Sequence, residues 1–338
     1  MFYMAVQSVV IKEIGMYHPQ KKVTHKEMLK HFTSIGKDEQ KVEKFLKKIG
    51  KEDRYITEDG ETTLSMAIEA SKTALKKANL SGEDIDILVF SSGTPEYLFP
   101  PNSLIIHNEI HGKREAVVYD ANSACVGMVV SLDQVSKTLL SSPDSKYALI
   151  VGSERMFHYA EKHDPFSYGN FGDAACAIIL EKVNEEGQGV LDASYNTDSR
   201  YHDDLVFPLC GMSKILDENI PKEEKLFVWK SDLSCGSVFD YGTTQITSLL
   251  DKHGLTTKDI KQYLCTQVSF DAVNKMLQPI EEDHKLFVTG HKYGYTGTSS
   301  PFIALKEAVE SGKIQRGDHI IFWSIGAGYT ACALLMKY

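Results

Sequence analysis

A chain of 338 residues with 42% hydrophobic content can bury a large core, as one big domain or as two fused halves of ordinary size. Its formal charge of −9 is a poor match for nucleic acid or an anionic membrane surface, both of which need a basic face. The six cysteines, at 125, 176, 210, 235, 265 and 332, lie far apart with no C-x-x-C pair, so neither a zinc site nor a disulfide scaffold is signalled and reduced thiols are expected.

The N-terminal segment "MFYMAVQSVVIKEIG" lacks a basic region before its apolar run and a small-residue cleavage site, and no stretch approaches the roughly 18 apolar residues of a membrane span. A cytoplasmic protein is the expectation. Next, "KDEQKVEKFLKKIGKEDR" (37–54) places Val42, Phe45, Leu46 and Ile49 at helical spacing. Its lysines are read as the solvated face of an amphipathic helix rather than as a dock for an anionic cofactor or carrier protein. "LSMAIEASKTALKKANL" (64–80) predicts a helix, "DILVFSS" (86–92) and "AVVYDA" (116–121) predict strands, and "SLDQVSKTLL" (131–140) predicts a second helix. Strands follow at "YALIVGS" (147–153) and "AACAIILE" (174–181), then a polar middle around 194–235, then strands at "KQYLCTQ" (261–267) and "HIIFWSI" (319–325). The alternation predicts an α/β fold.

Two strings recur in the same order. "LSGEDIDILVFSS" (80–92) returns as "LTTKDIKQYLCTQ" (255–267), each with a hydroxyl residue and an aspartate at capping spacing ahead of an apolar strand. "GDAACAIILEK" (172–182) returns as "GYTACALLMKY" (328–338). This predicts a duplicated α/β unit, with halves 1–183 and 184–338. "GAGYTA" (326–331) fits a G-x-G-x-x-A dinucleotide pattern, but the chain ends seven residues later, leaving no room for the following helix and the ribose-binding acid.

In "YDANSACVGMVVSL" (119–132), Cys125 falls between a predicted strand and a predicted helix. A free cysteine is ordinarily a small buried hydrophobe. At a helix N-terminus, however, amides and dipole favour the thiolate, the form that attacks a carbonyl or thioester. Ala121, Ser123, Ala124 and Gly127 leave room for a substrate, and none of the other cysteines has these surroundings.

With these segments the chain resembles the β-ketoacyl-acyl-carrier-protein synthase III family of the thiolase superfamily over essentially its whole length. "DANSACVGM" resembles the family's nucleophile segment, "YLFPPNS" the segment whose phenylalanine, here Phe99, borders the partner subunit's acyl pocket, "NFGDAACAIILE" its Phe-Gly-Asp-Gly-Ala strand, and "SIGAGYTACALL" its C-terminal glycine triplet. "IKEIGMYHPQKKVTHKEML" and "IGKEDRYI" fit its opening. The resemblance implies a thiolase-like fold of two duplicated α/β halves in five layers, forming a homodimer or a heterodimer with a relative. It implies an acyltransferase with no permanently bound cofactor and no metal, taking acyl-CoA or acyl carrier protein thioesters in fatty-acid, polyketide or specialised metabolism. Cys125 would accept the acyl group, and the amides of Cys125 and Ala327 would hold the oxyanion.

The resemblance also marks two departures. Thr266 occupies the place of the family histidine in "CTQVSF", followed by the retained Gln267, and Tyr295 occupies the place of the family asparagine after the retained Gly294. Those two family side chains stabilise the enolate formed when a malonyl thioester loses carbon dioxide. His291, His158 and His163 are the candidate substitute bases. Three readings stay open: a variant acyltransferase or condensing enzyme, a conventional synthase III with hidden replacements, and a poorly active subunit pairing with an active relative.

Overall fold

The structure, a computed structural model, describes residues 7–230 and 236–338. Cys235 and part of the polar middle lie outside the described residues. Strand β1 (Ser8–Tyr17) opens the fold, followed by a ribbon of β2 (Lys22–Val23) and β3 (Arg54–Tyr55) that brackets helices α1 (His25–Ser34) and α2 (Glu39–Ile49). Then come α3 (Thr63–Ala78), β4 (Ile87–Ser91), α4 (Asn102–Glu109), β5 (Val117–Ala121), α5 (Gly127–Ser141), β6 (Tyr147–Glu154), β7 (Ala174–Val183) and β8 (Gly189–Thr197). The remainder comprises a second ribbon, β9 (Leu205–Val206) with β10 (Val228–Trp229), then α6 (Gly236–Lys252), β11 (Ile260–Cys265), α7 (Phe270–Leu277), α8 (Gly290–Tyr293), α9 (Ser300–Glu310), β12 (His319–Gly326) and β13 (Thr330–Lys337).

Nine strands form one sheet in the order β11-β12-β13-β8-β1-β7-β6-β4-β5. Reading outward from the centre, β1-β7-β6-β4 on one side repeats as β8-β13-β12-β11 on the other. In each series the first three pairings run antiparallel, antiparallel and parallel. The two series meet through a single parallel pair, Val9 with Gly189. Edge strand β5 has only a lone parallel bridge as its counterpart, Tyr263 with Leu286. The recurring strings therefore occupy equivalent places, and the turns ahead of β4 and β11 carry matching capping boxes, Ser81 with Asp84 and Thr256 with Asp259. The 183/184 boundary expected from sequence falls in the loop between β7 and β8.

Each strand feeds two cores because successive side chains point to opposite faces. On β12, Ile320 and Phe322 turn towards α5 and α9, which form the central layer, while Ile321 and Trp323 turn towards α6 and α7 outside. In the other half, α3 and α4 cover the outer faces of β4, β6 and β7. The result is five layers, helix, sheet, helix, sheet, helix, in which the two series of the one continuous sheet form the second and fourth. "GAGYTA" forms the turn from β12 into β13 rather than a nucleotide cradle, with Tyr329 in the left-handed region at φ 60°.

The approach of α3 to β1 is set by Gly15, where an added Cβ would lie 2.2 Å from the Ala70 carbonyl oxygen and 2.4 Å from the Ala74 nitrogen. Backbone cannot move aside as a flexible side chain can. Gly15→Ala is therefore expected to destabilise the fold by about 1–3 kcal/mol, read as a lower urea midpoint at unchanged slope; an unchanged midpoint would contradict the close packing. Helix α2 buries Val42, Leu46 and Ile49, and its lysines face solvent. Beyond the helix, Lys51 and Arg54 are fully buried, contrary to the solvated face expected for the whole 37–54 stretch. Lys51 donates to the Ile49 and Gln267 carbonyls at 3.0 and 2.7 Å, and burial pushes its pKa down to about 7.

Candidate active site

Cys125 sits where β5 has ended and α5 has not begun. The Asn122 side chain accepts the Ala124 amide at 2.9 Å, and Ala124 takes φ 47°, a left-handed conformation that costs a non-glycine residue on the order of 1 kcal/mol or more. The turn closes with Val126 and Gly127 amides donating to the Ser123 and Ala124 carbonyls at 3.3 and 3.1 Å. This tight reversal presents the sulfur to a narrow cavity while leaving Cys125 only 8% exposed.

Helix α5 starts without a side-chain cap of its own. One of its first amides, that of Met128, donates instead to Thr298 Oγ1 at 2.7 Å, from the loop that also carries Tyr295. Ser324 of β12 adds a bond to the Cys125 carbonyl at 3.0 Å. An added Cβ on Gly326 would lie 2.6 Å from the Ser123 oxygen, so the β12–β13 turn lies directly against the segment that carries Cys125. Both halves thus fix the position of the cysteine.

Thr266 and Tyr295, distant in sequence, are brought together here. Thr266 follows β11 with its amide on the Trp323 carbonyl at 2.8 Å, and Tyr295 is pinned by its amide to the Asn170 carbonyl at 2.8 Å. Thr266 Oγ1 donates to the Tyr295 hydroxyl at 3.1 Å, and Tyr295 lines the cavity beside Cys125, where its hydroxyl works to lower the pKa of the thiol. The Gln267 side chain turns away, accepting the Thr289 and Gly290 amides at 2.9 and 3.0 Å and so holding the start of α8. Gly294 adopts φ 72° and passes close to Gly172, where a Cβ would lie 3.0 Å from the Gly172 nitrogen.

One acidic residue belongs to this site that the sequence did not single out. Glu154, at the end of β6, is fully buried and accepts from the Gly93 amide at 2.9 Å, the Thr94 amide at 3.0 Å, the Thr94 hydroxyl at 2.7 Å and the Ser92 hydroxyl at 3.3 Å. Burial outweighs those bonds and pushes its pKa up to about 7. Burial, and then the charge of Glu154, push the Cys125 thiol up to about 12, against which the Tyr295 hydroxyl works. The thiolate expected from the helix amides is therefore not the resting state, because desolvation is the larger effect. The available signal for Glu154 was an acid closing the otherwise apolar "YALIVGSE".

The remaining cavity wall is mostly apolar, formed by Leu205, Trp229, Phe239, Val268 and Ile325, with Ala327 and Tyr329 from the β12–β13 turn and Asp204 at one side. None of the three candidate histidines lines it. His158, His163 and His291 are exposed; His163 Nδ1 is 2.7 Å from Glu161, and His291 lies on α8. Phe99 stands 90% exposed outside the cavity of its own chain.

The pattern of charges around the sulfur gives a directional expectation. At pH 8, above the Glu154 pKa, alkylation of Cys125 by iodoacetamide should be slow and rise about tenfold per pH unit, because the thiol titrates far higher. Glu154→Gln removes a neighbouring negative charge and should speed it about three- to tenfold, whereas Tyr295→Phe should slow it. Mass spectrometry of the alkylated protein provides the rates, and equal rates in all three proteins would rule out the electrostatic account.

Residues 119–199 match the family described as 3-oxoacyl-[acyl-carrier-protein] synthase III, and residues 250–338 match its C-terminal region. The chain is 30% identical to a β-ketoacyl-[acyl-carrier-protein] synthase III of Clostridium perfringens (strain SM101), over 98% of this chain and 100% of the relative. It is 27% identical to the protein of the same description from Aliarcobacter butzleri, over 97% of each. Among solved structures, 3-oxoacyl-[acyl-carrier-protein] synthase III from Aquifex aeolicus VF5 superposes with a TM-score of 0.84 at 25% identity, covering 98% of this chain and 100% of that one.

Proposed function

The chain belongs to the 3-oxoacyl-[acyl-carrier-protein] synthase III family, and from that premise we propose that it transfers acyl groups through a thioester on Cys125 with carbon–carbon bond formation weak or absent. In the first half-reaction the Cys125 sulfur attacks the carbonyl carbon of an acyl-CoA or acyl carrier protein thioester. The oxyanion is held by the amides of Cys125 and Ala327; then the donor C–S bond breaks and the proton lost by Cys125 leaves on the departing thiol. In the second, an amine, alcohol or thiol attacks the acyl carbon, the bond to Cys125 breaks, and the acceptor's proton returns to the sulfur. The strained turn at Ala124, the apolar cavity and the contact of Gly326 with the Ser123–Ala124 segment support this assignment.

The observation that carries the reading is the bonded hydroxyl pair of Thr266 and Tyr295 beside Cys125. Thr266 and Tyr295 stand where condensing members of the family use histidine and asparagine. The threonine proton is committed to Tyr295, and the tyrosine offers a single hydroxyl proton, so the pair does not reproduce an imidazole and an amide donor for an enolate. Tyr295, whose own pKa is raised well above its ordinary value by burial, stays a neutral donor. The high thiol pKa favours a second reading, a weakly active subunit that works with a relative. Intact-mass measurement after incubation with a panel of acyl thioesters separates the two: an adduct supports the enzyme, and no adduct from any thioester supports the subunit.

Assembly belongs to the same proposal. Strand β5 lies at the sheet edge with Val117 and Tyr119 exposed, and Leu98 and Phe99 are 69% and 90% exposed on the segment ahead of α4. An open edge beside apolar side chains favours an isologous pairing of two copies. Light scattering at micromolar concentration is expected to give twice the chain mass, and a Leu98→Asp, Phe99→Asp variant a single chain mass; a monomeric parent would count against the dimer.

A further inference from the structure

Among the described residues lining the Cys125 cavity, Asp204 is the only side chain with a formal charge. Its Oδ2 accepts the Tyr329 hydroxyl at 2.8 Å, and its backbone carbonyl accepts the Lys230 amide at 2.8 Å, which holds it beside the β9–β10 ribbon. The lysine that could neutralise it is occupied elsewhere, since Lys230 Nζ pairs with Asp203 at 2.8 Å. Asp204 is partly exposed at the side of the cavity, and its one phenol bond leaves the other carboxylate oxygen open to a ligand of opposite sign. Trp229, whose strand neighbour is Leu205, lines the same cavity, and its buried Nε1–H has no hydrogen-bond partner among the described residues. A carboxylate with one hydrogen-bond partner and an unpartnered indole N–H thus belong to residues that line one space.

The geometry points to a substrate bearing an ammonium group, bound by Asp204 with its hydrocarbon part along the apolar wall. Trp229 contributes its ring to the cation and its N–H to an acceptor on the same ligand. This selectivity rests on the acyl-transfer reading for its chemistry, and the ammonium belongs either to the acyl chain that loads Cys125 or to the acceptor that unloads it.

Calorimetry with n-butylammonium chloride and n-butanol tests recognition without requiring any reaction. The ammonium is expected to bind at least about tenfold more tightly at low salt, and Asp204→Asn, which keeps an oxygen for Tyr329, should erase the difference. Equal affinities in the parent, or a preference that survives in the variant, would overturn the proposal. Two further arms identify the source: loading of Cys125 by 6-aminohexanoyl against hexanoyl thioester, and release of a preloaded hexanoyl group by 4-amino-1-butanol, whose hydroxyl attacks while its ammonium is bound, against butanol. An Asp204-dependent preference in either arm supports the proposal and assigns the ammonium to donor or acceptor, while no preference in both overturns it. If no thioester labels Cys125 at all, the acyl-transfer reading fails, and calorimetry still decides the role of Asp204.

Discussion

Cys125→Ala is expected to abolish the acyl adduct formed with any thioester that loads the parent, a loss on the order of a thousandfold or more. Deleting the sulfur removes the atom that carries the acyl group, and an alanine fits the left-handed turn because the strain there belongs to Ala124. The described alternatives are badly placed: Cys176, Cys265 and Cys332 are buried in strands, with burial raising each thiol, and Cys210 lies outside the cavity. Peptide mapping of the parent adduct should place the added mass on 125. A variant labelled as fully as the parent, with native near-ultraviolet circular dichroism in both, would show that Cys125 is not the nucleophile.

Decarboxylation is the second large effect. Loss of carbon dioxide from a malonyl thioester puts negative charge on the thioester oxygen, and each missing donor to such an oxyanion costs about 100- to 1000-fold in rate. With the Thr266 proton on Tyr295 and a single phenol in place of two donors, purified protein should release carbon dioxide from malonyl-CoA or malonyl carrier protein barely above the uncatalysed background. Thr266→His combined with Tyr295→Asn should raise that release by at least about 100-fold. The exchange of a buried tyrosine for asparagine leaves a cavity, so its thermal midpoint must be measured alongside. Rapid carbon dioxide release with a 3-ketoacyl product by the unaltered protein would return it to conventional condensation.

Much of this could be anticipated from local patterns. The six predicted strands are β4, β5, β6, β7, β11 and β12, because continuous apolar runs bounded by turn residues have few other places to go in a doubly covered sheet. The repeated capping motif was legible for the same reason: Ser81 with Asp84 and Thr256 with Asp259 each satisfy amides within one turn. What could not be read was anything decided by burial between segments distant in sequence. Lys51 looked like one more surface lysine until the chain folded Gln267 over it. Glu154 and Asp204 carry no periodic signal, since their significance comes from facing Cys125 and its cavity. The ionisation of Cys125 was misjudged because helix amides are visible in sequence and desolvation is not.

The bond from the Met128 amide to Thr298 has an implication for how such a chain can change. The start of the nucleophile's helix is completed by a hydroxyl from the opposite repeat, so neither repeat contains a finished reaction centre and a severed half should be chemically silent even if it folds. Yet the tie runs through Thr298, not through Thr266 or Tyr295. The joint between the repeats thus rests on a different residue from the two on which the proposed reading turns. Because Thr266 and Tyr295 are themselves buried, a change of chemistry made through them also reshapes the interior around Cys125.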